Sequence, residues 1–314
     1  MITGRTRAPG EQAMVLIALT YKKLVDRDFK ILGIIEREMT RYEYVPIEVI
    51  ERRARMPSTH VAMILRKLNM LKLVKRRLGE YVGYRLTYLG LDMLALRSLV
   101  ERGILHALGD RLGVGKESDV YSGLTPGGER VIVKFHRVGR TSFQRVARVR
   151  HYAAAKPYAS WYELAKIAGQ REHRALEELY RVGALVPRPL GYSRHVVVTE
   201  FIEGVELYLY ENAADPEKML RDILVTLRKA YLKVGIVHGD LSEYNVLVAI
   251  SGEEEKPYII DWPQYVEREH PAADQLLRRD VEYIVKFFRK KYRVDIDAEK
   301  ALKFVRGELE EPFR

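Results

Sequence analysis

HGDLSEYNVL, residues 238–247, is the stretch on which the reading of this chain turns. An Asn five residues after an Asp, directly behind His-Gly, is a pointed use of an amide. The whole chain of 314 residues holds only three Asn (Asn69, Asn212, Asn245) and five Gln. Alone, the stretch reads as a strand end followed by a polar turn. The choice depends on what stands at fixed distances from it.

Downstream, Asp261 follows Asp240 by 21 residues and closes the apolar run of YIIDWPQ. Upstream, HVVVTEFIEG (195–204) predicts a buried strand ending at Glu200, Phe201 and Ile202 before Gly204. Further back, REHRALEELYRVG (171–183) has the helical period, with Ala175, Leu176 and Leu179 on one face and Glu172 four residues before Leu176. LGVGKESDVYSGL, from Leu112, sets Gly113 and Gly115 between two β-like runs, and Lys134 lies in the second strand pattern, VIVKF, 21 residues after Gly113. Each piece has a plain alternative: a β-turn, a surface lysine, a solvated helix acid, a turn-forming Asp. Six of them in this order resemble a protein kinase domain.

That resemblance implies the roles. Gly113, Gly115, Lys116 and Ser118 line a phosphate loop, with Ser118 replacing a third glycine and Val120 lying over the adenine. Lys134 meets the α- and β-phosphates, Glu172 holds Lys134, and Glu200 and Ile202 offer backbone groups to adenine, with Thr199 behind them. Asp240 orients the nucleophile, and Asn245 and Asp261 bind Mg2+, for which Mn2+ could substitute. His238 is expected to support the loop backbone, since Asp240 already holds the base position.

HGD in place of His-Arg-Asp is similar to two groups: small-molecule phosphotransferases of the aminoglycoside and choline type, and the RIO family of atypical protein kinases. GKESDVY, LSEYN and IDWPQ together resemble RIO, and RYEYVP in an N-terminal module resembles its Rio-two subfamily. The resemblance runs from about Tyr21 to the low 290s and implies a cytoplasmic, ATP- and Mg2+-using serine/threonine kinase or ATPase that attends maturation of the small ribosomal subunit. RTSF resembles that subfamily's flexible loop, making Ser142 a candidate autophosphorylation site. Arg137, Arg140, Arg145, Arg148 and Arg150 in the same connection are candidate RNA contacts. Only 53 residues follow Asp261, and no Ala-Pro-Glu-like motif is among them. A peptide-binding platform is therefore not expected, and ATP hydrolysis or autophosphorylation is favoured, with a transient aspartyl-phosphate on Asp261 chemically accessible.

Residues 29–38, 46–55 and 57–68 have helical patterns, and VKRRLGEYVGYRLT reads as a hairpin about Gly79-Glu80. Three helices and a hairpin resemble a winged helix. Lys72, Lys75, Arg76, Arg77 and Arg85 would give it phosphate contacts, with Tyr81 and Tyr84 available to stack on bases. Residues 1–90 carry 18 Lys+Arg against 9 Asp+Glu, so +9 of the net +11 sits there, which favours a polyanionic partner, nucleic acid ahead of a membrane surface. The RIO resemblance implies that this partner is the pre-ribosomal small subunit and its rRNA.

With 47% hydrophobic and 31% charged residues the composition is that of a globular chain. No apolar run predicts a membrane span or signal peptide, and the absence of Cys excludes disulfides, thiolate metal sites and cysteine nucleophiles. The expected architecture is α+β: a winged helix (1–90), a linker helix (91–108), and a truncated two-lobed kinase-like domain. Its N-lobe spans 109–202, with a flexible loop at about 136–160, and its C-lobe spans 203–314. The chain is expected to be monomeric. Two rivals remain open: a small-molecule phosphotransferase, and a winged-helix regulator carrying an idle nucleotide fold.

Overall fold

A computed structural model of the chain describes residues 17–115, 117–138, 161–251 and 254–313. These form two compact units. The first takes in the described residues up to 138 with 161–165 and Ser193–Val196, and the second takes in Lys166–Tyr192 and the chain from Val197 on.

In the first unit, α1 (Asp26–Glu38) turns Ile31, Leu32, Ile34 and Ile35 into the interior, and Asp26 and Asp28 sit in its first turn, where the helix dipole favours negative charge. Val45–Pro46 is a short strand, β1. Pro46, which has no N–H to donate, is tolerated there because β1 is an edge strand. α2 (Ile47–Ala54) follows Pro46 and stops at Arg55, which adopts a left-handed φ of 52°. α3 (Ser58–Met70) buries Val61, Leu65 and Leu68 but leaves Met63 exposed, so the apolar stripe is narrower than its sequence suggests. β2 (Val74–Arg77) and β3 (Gly83–Leu86) form the hairpin, and β3 lies between β1 and β2 in an antiparallel sheet. This is a winged helix.

α4 (Tyr88–Glu101) begins where the Thr87 Oγ1 accepts from the Gly90 N–H, and Leu91 to Leu96 are buried along it. Three antiparallel strands follow: β4 (Ala107–Val114), β5 (Ser118–Leu124) and β6 (Arg130–His136).

Next comes α5 (Trp161–Arg181). It starts ten residues before the predicted helix at 171, so residues 161–170 belong to the same helix. β7 (Pro189–Ser193), β8 (Val196–Glu200) and β9 (Gly204–Glu206) precede α6 (Pro216–Lys229), which Asp215 caps by accepting from the Lys218 N–H. β10 (Ile236–Val237) pairs with β13 (Val266–Glu267), and β11 (Val246–Ser251) lies between β9 and β12 (Glu254–Ile259). Two C-terminal helices follow, α7 (Ala273–Tyr292) and α8 (Ala298–Arg306). The core of the second unit is built by Leu220, Ile223 and Leu227 of α6, Val281, Ile284 and Phe288 of α7, and Leu302 and Val305 of α8. Among the described residues, no helix is long and apolar enough to cross a membrane.

Candidate active site

In the second unit, HGDLSEYN is the turn that leaves β10 and enters β11, with Glu243–Asn245 forming one turn of 3-10 helix. Gly239 has a φ of +79°, a conformation that glycine reaches without steric cost. This bend lets two N–H groups, those of Gly239 (2.7 Å) and Leu241 (3.1 Å), donate to the two carboxylate oxygens of Asp280. Asp280, on α7, is 1% exposed. Burial raises its pKa, and nearby His238 and the two N–H donors only partly oppose that.

His238 is also buried. Its Nε2–H donates to the Ile260 carbonyl (3.1 Å), which leaves Nδ1 to accept from the Asp240 N–H (3.3 Å), and its ring stands edge-on to Trp262. The structural role expected of His238 matches these bonds. Asn245 Nδ2 donates to the backbone carbonyl of Asp240 (2.9 Å), and the Asn245 carbonyl accepts from the Ile260 N–H (2.9 Å). Asp240, Asn245 and the strand leading to Asp261 are thereby tied together. The Asp240 carboxylate itself accepts from Arg279 of α7 at 3.1 Å.

Asp261 lies two residues past β12 with a φ of +68°, in the left-handed region that Asp enters more readily than most side chains. Trp262, fully buried, donates from Nε1 to the Ile259 carbonyl and anchors the turn. Arg171 of α5 secures the far side, donating to the carbonyls of Pro263 and Tyr265 with its guanidinium over the Tyr265 ring. Glu172, the next residue, is 3% exposed. Glu200 at the end of β8 donates its N–H to the Arg188 carbonyl, its side chain accepts from the Arg188 N–H, and its carbonyl accepts from the Thr199 hydroxyl (3.2 Å); Ile202 follows just past the strand.

In the first unit, the β4–β5 turn is closed by the Gly115 N–H donating to the Ser118 carbonyl (2.8 Å). Gly113 pairs with Val120, and Val120 pairs with Lys134. Directly opposed residues share a sheet face, so Gly113, Val120 and Lys134 lie on one face, with Ser118 two residues along. The opposite face carries Asp119, Tyr121, Val133 and Phe135, all buried. Lys116 and Ser142 lie outside the described residues.

The model of the RIO domain matches residues 119–301, and that of the Rio2 N-terminal region matches residues 21–102. The RIO-type serine/threonine-protein kinase Rio2 of Methanocaldococcus jannaschii is 38% identical over 267 residues, covering 83% of this chain and 96% of that one. The chain belongs to the RIO kinase family. Serine/threonine-protein kinase RIO2 of Saccharomyces cerevisiae is 33% identical and covers 87% of this chain and 65% of its own, while the Dictyostelium discoideum relative is matched over 50% of its length. A crystal structure of the Rio2 kinase from Chaetomium thermophilum, in an ADP/Mg2+-phosphoaspartate complex, superimposes with a TM-score of 0.78 at 32% identity, covering 91% of this chain and 88% of that one. This RIO kinase is therefore a phosphotransferase of the serine/threonine protein kinase class, and the protein-kinase reading stands ahead of the metabolite phosphotransferase.

Several features of this RIO chain were not legible in its sequence. Asp280 and Arg171 sit in ordinary-looking helix patterns. Arg137, expected to meet RNA, is instead 4% exposed: it donates to both oxygens of Asp92 (2.6 and 2.9 Å) and, through Nε, to Asp119 (2.8 Å), which also accepts from Arg111 (2.7 Å). His195 Nε2 donates to Asp92 at 2.7 Å. In the wing, Tyr84 is buried and Tyr81 donates its hydroxyl to the Tyr44 carbonyl, so Tyr84 cannot stack on a base. Arg77 and Arg85 converge on Glu43 and the Tyr44 ring. Lys72, Lys75 and Arg76 point outward.

Proposed function

We propose that this RIO kinase uses ATP with Mg2+ to phosphorylate a serine or to hydrolyse ATP, acting as a cytoplasmic monomer on the maturing small ribosomal subunit, with its winged helix against rRNA. The observation that carries the catalytic part is the immobilised Asp240–Asn245 turn. Asn245 spends its amide nitrogen on the Asp240 carbonyl and so keeps its amide oxygen for a cation. Among the described residues no group of three or more His, Cys, Asp or Glu side chains is placed to hold a metal by itself. That suits Mg2+, which takes one or two protein oxygens and completes its shell with phosphates and water. Asn245 and Asp261 are the residues we assign to hold it, and when bound the ion neutralises charge on the phosphates. Lys134, Gly113, Gly115, Lys116, Ser118 and Val120 are assigned to the nucleotide, with Glu200 and Ile202 offering backbone to the base.

Asp240 positions the attacking hydroxyl or water. Asp261 is the side chain we assign as a nucleophile toward ATP. One of its oxygens forms a bond to the γ-phosphorus as the bridging P–O bond to ADP breaks. Water, giving its proton to Asp240, then cleaves the acyl phosphate and restores the Asp261 carboxylate. The ADP/Mg2+-phosphoaspartate complex of the Chaetomium relative supports this chemistry by likeness. Acid quench during turnover of labelled ATP should trap a hydroxylamine-labile phosphate that is lost in Asp261→Asn; equal labelling of the variant would remove Asp261 from the pathway.

The ribosomal part rests on the basic N-terminal third and on the Rio2-type N-terminal region. Ser142 is the serine we assign to autophosphorylation.

A further inference from the structure

Every part of Asp240 is held by a different neighbour. Its N–H donates to His238, its carbonyl accepts from Asn245, and the N–H groups on either side of it donate to Asp280. What remains is the carboxylate, and Arg279 Nη2 donates to one oxygen of it, Oδ1, at 3.1 Å. Among the described residues no hydrogen bond reaches Oδ2.

Arg279 and Asp280 are consecutive on α7. Successive helix residues point about 100° apart, which lets one buried residue grip the backbone of the loop while its neighbour, half-exposed, reaches over the rim to the side chain. An unrestrained Asp carboxylate rotates between two broad, nearly equivalent orientations. A hydroxyl must be met by one oxygen in one direction, and a misplacement of about 1 Å can cost on the order of 100-fold in rate.

We propose that Arg279 is a positioning residue for phosphoryl transfer. By occupying Oδ1 it fixes the Asp240 carboxylate so that Oδ2 is the oxygen presented to the acceptor hydroxyl or water. The inference rests on the catalytic role proposed above for Asp240, and it adds a residue that acts through Asp240 rather than on the nucleotide. Arg279 sits on the helix surface, so its replacement removes no buried packing. A guanidinium N–H donates in a fixed direction within a planar group, as the flexible point charge of Lys does not.

The test compares wild type, Arg279→Met, Arg279→Lys, Asp240→Asn and, as a neighbour on the same helix paired instead with Glu299, Arg278→Met. Each is measured for phosphate release from ATP with Mg2+, for ADP affinity by calorimetry, and for Tm. The expected result is a fall in kcat of about 10- to 100-fold in Arg279→Met, partial recovery in Arg279→Lys, and wild-type ADP affinity and Tm in both. Arg278→Met should behave as wild type. If Asp240→Asn loses turnover while Arg279→Met keeps it, or if Arg279→Lys is fully active, the positioning role is wrong and the catalytic reading survives. If Asp240→Asn itself turns over at the wild-type rate, the catalytic reading falls and takes this inference with it.

Discussion

At the scale of single residues, the opening stretch now has a physical account. His-Gly precedes Asp240 because the loop must bend through a left-handed φ at Gly239 to bring two N–H donors onto one carboxylate, and because His238 bridges the loop to the strand before Asp261. The partner of that bend, Asp280, carries a raised pKa through burial and accepts two backbone bonds. Asp280→Asn keeps the volume but has one acceptor oxygen where two are used, so one buried N–H loses its partner. The expected cost is about 1–3 kcal/mol of stability, read by urea denaturation, together with reduced turnover as the loop loosens. A variant as stable and as active as wild type would show that the clamp is dispensable. The residues assigned above to nucleotide and metal were legible because their spacing is carried on the chain. Asp280 and Arg279 were not, since a helix sequence does not say which loop its buried acid will meet.

At the scale of elements, the first unit is organised around a charge cluster that joins α4 to the β5 and β6 strands. Burial alone would lower the Arg137 pKa, but Asp92 and Asp119 hold it above its ordinary value. Burial works against the Asp92 carboxylate as well, yet Arg137 and His195 keep its pKa below the usual range. Desolvation keeps His195 neutral, with its pKa lowered. Arg137→Met leaves two buried carboxylates without their shared cation and is expected to cost about 3–5 kcal/mol, measured by urea denaturation.

The same cluster makes the fold acid-sensitive. Because the folded state disfavours the His195 proton, the unfolded chain binds it first, and stability should fall as pH drops below the ordinary histidine value of 6.5. Asp92, depressed below 3.8, adds its loss only in stronger acid. The decline of Tm between about pH 7.5 and 5.5 should therefore be shallower in His195→Gln; parallel curves would exclude His195 as the source. The winged-helix helices, the hairpin and the glycine-flanked turn were foreseeable from periodicity and turn chemistry, whereas the first ten residues of α5 and the whole of α6 were not read from the sequence. Arg137 was misread because nothing in a run of arginines marks the one whose carboxylate partners, Asp92 and Asp119, arrive from elsewhere in the chain.

At the scale of the whole molecule, the charge of the N-terminal third is the feature most open to test. Lys75 and Arg76 are exposed on the wing, whereas Arg85 is engaged by Glu43 and the Tyr44 ring. Lys75→Ala with Arg76→Ala should weaken rRNA binding and flatten the plot of log K against log salt by roughly 0.7–0.9 per lost phosphate contact. An unchanged slope would take the wing out of the RNA interface.

The central claim is that Asp240 and Asp261 make this RIO chain an ATP-consuming enzyme linked to the small ribosomal subunit. The most direct measurement is phosphate release from labelled ATP with Mg2+, in single and multiple turnover, for wild type, Asp240→Asn and Asp261→Asn, with and without small ribosomal subunits. The account predicts turnover that requires both aspartates and changes with the subunits, while ADP binding survives in Asp240→Asn. Nucleotide binding without turnover in any condition would contradict it and make the protein a nucleotide-sensing binding factor.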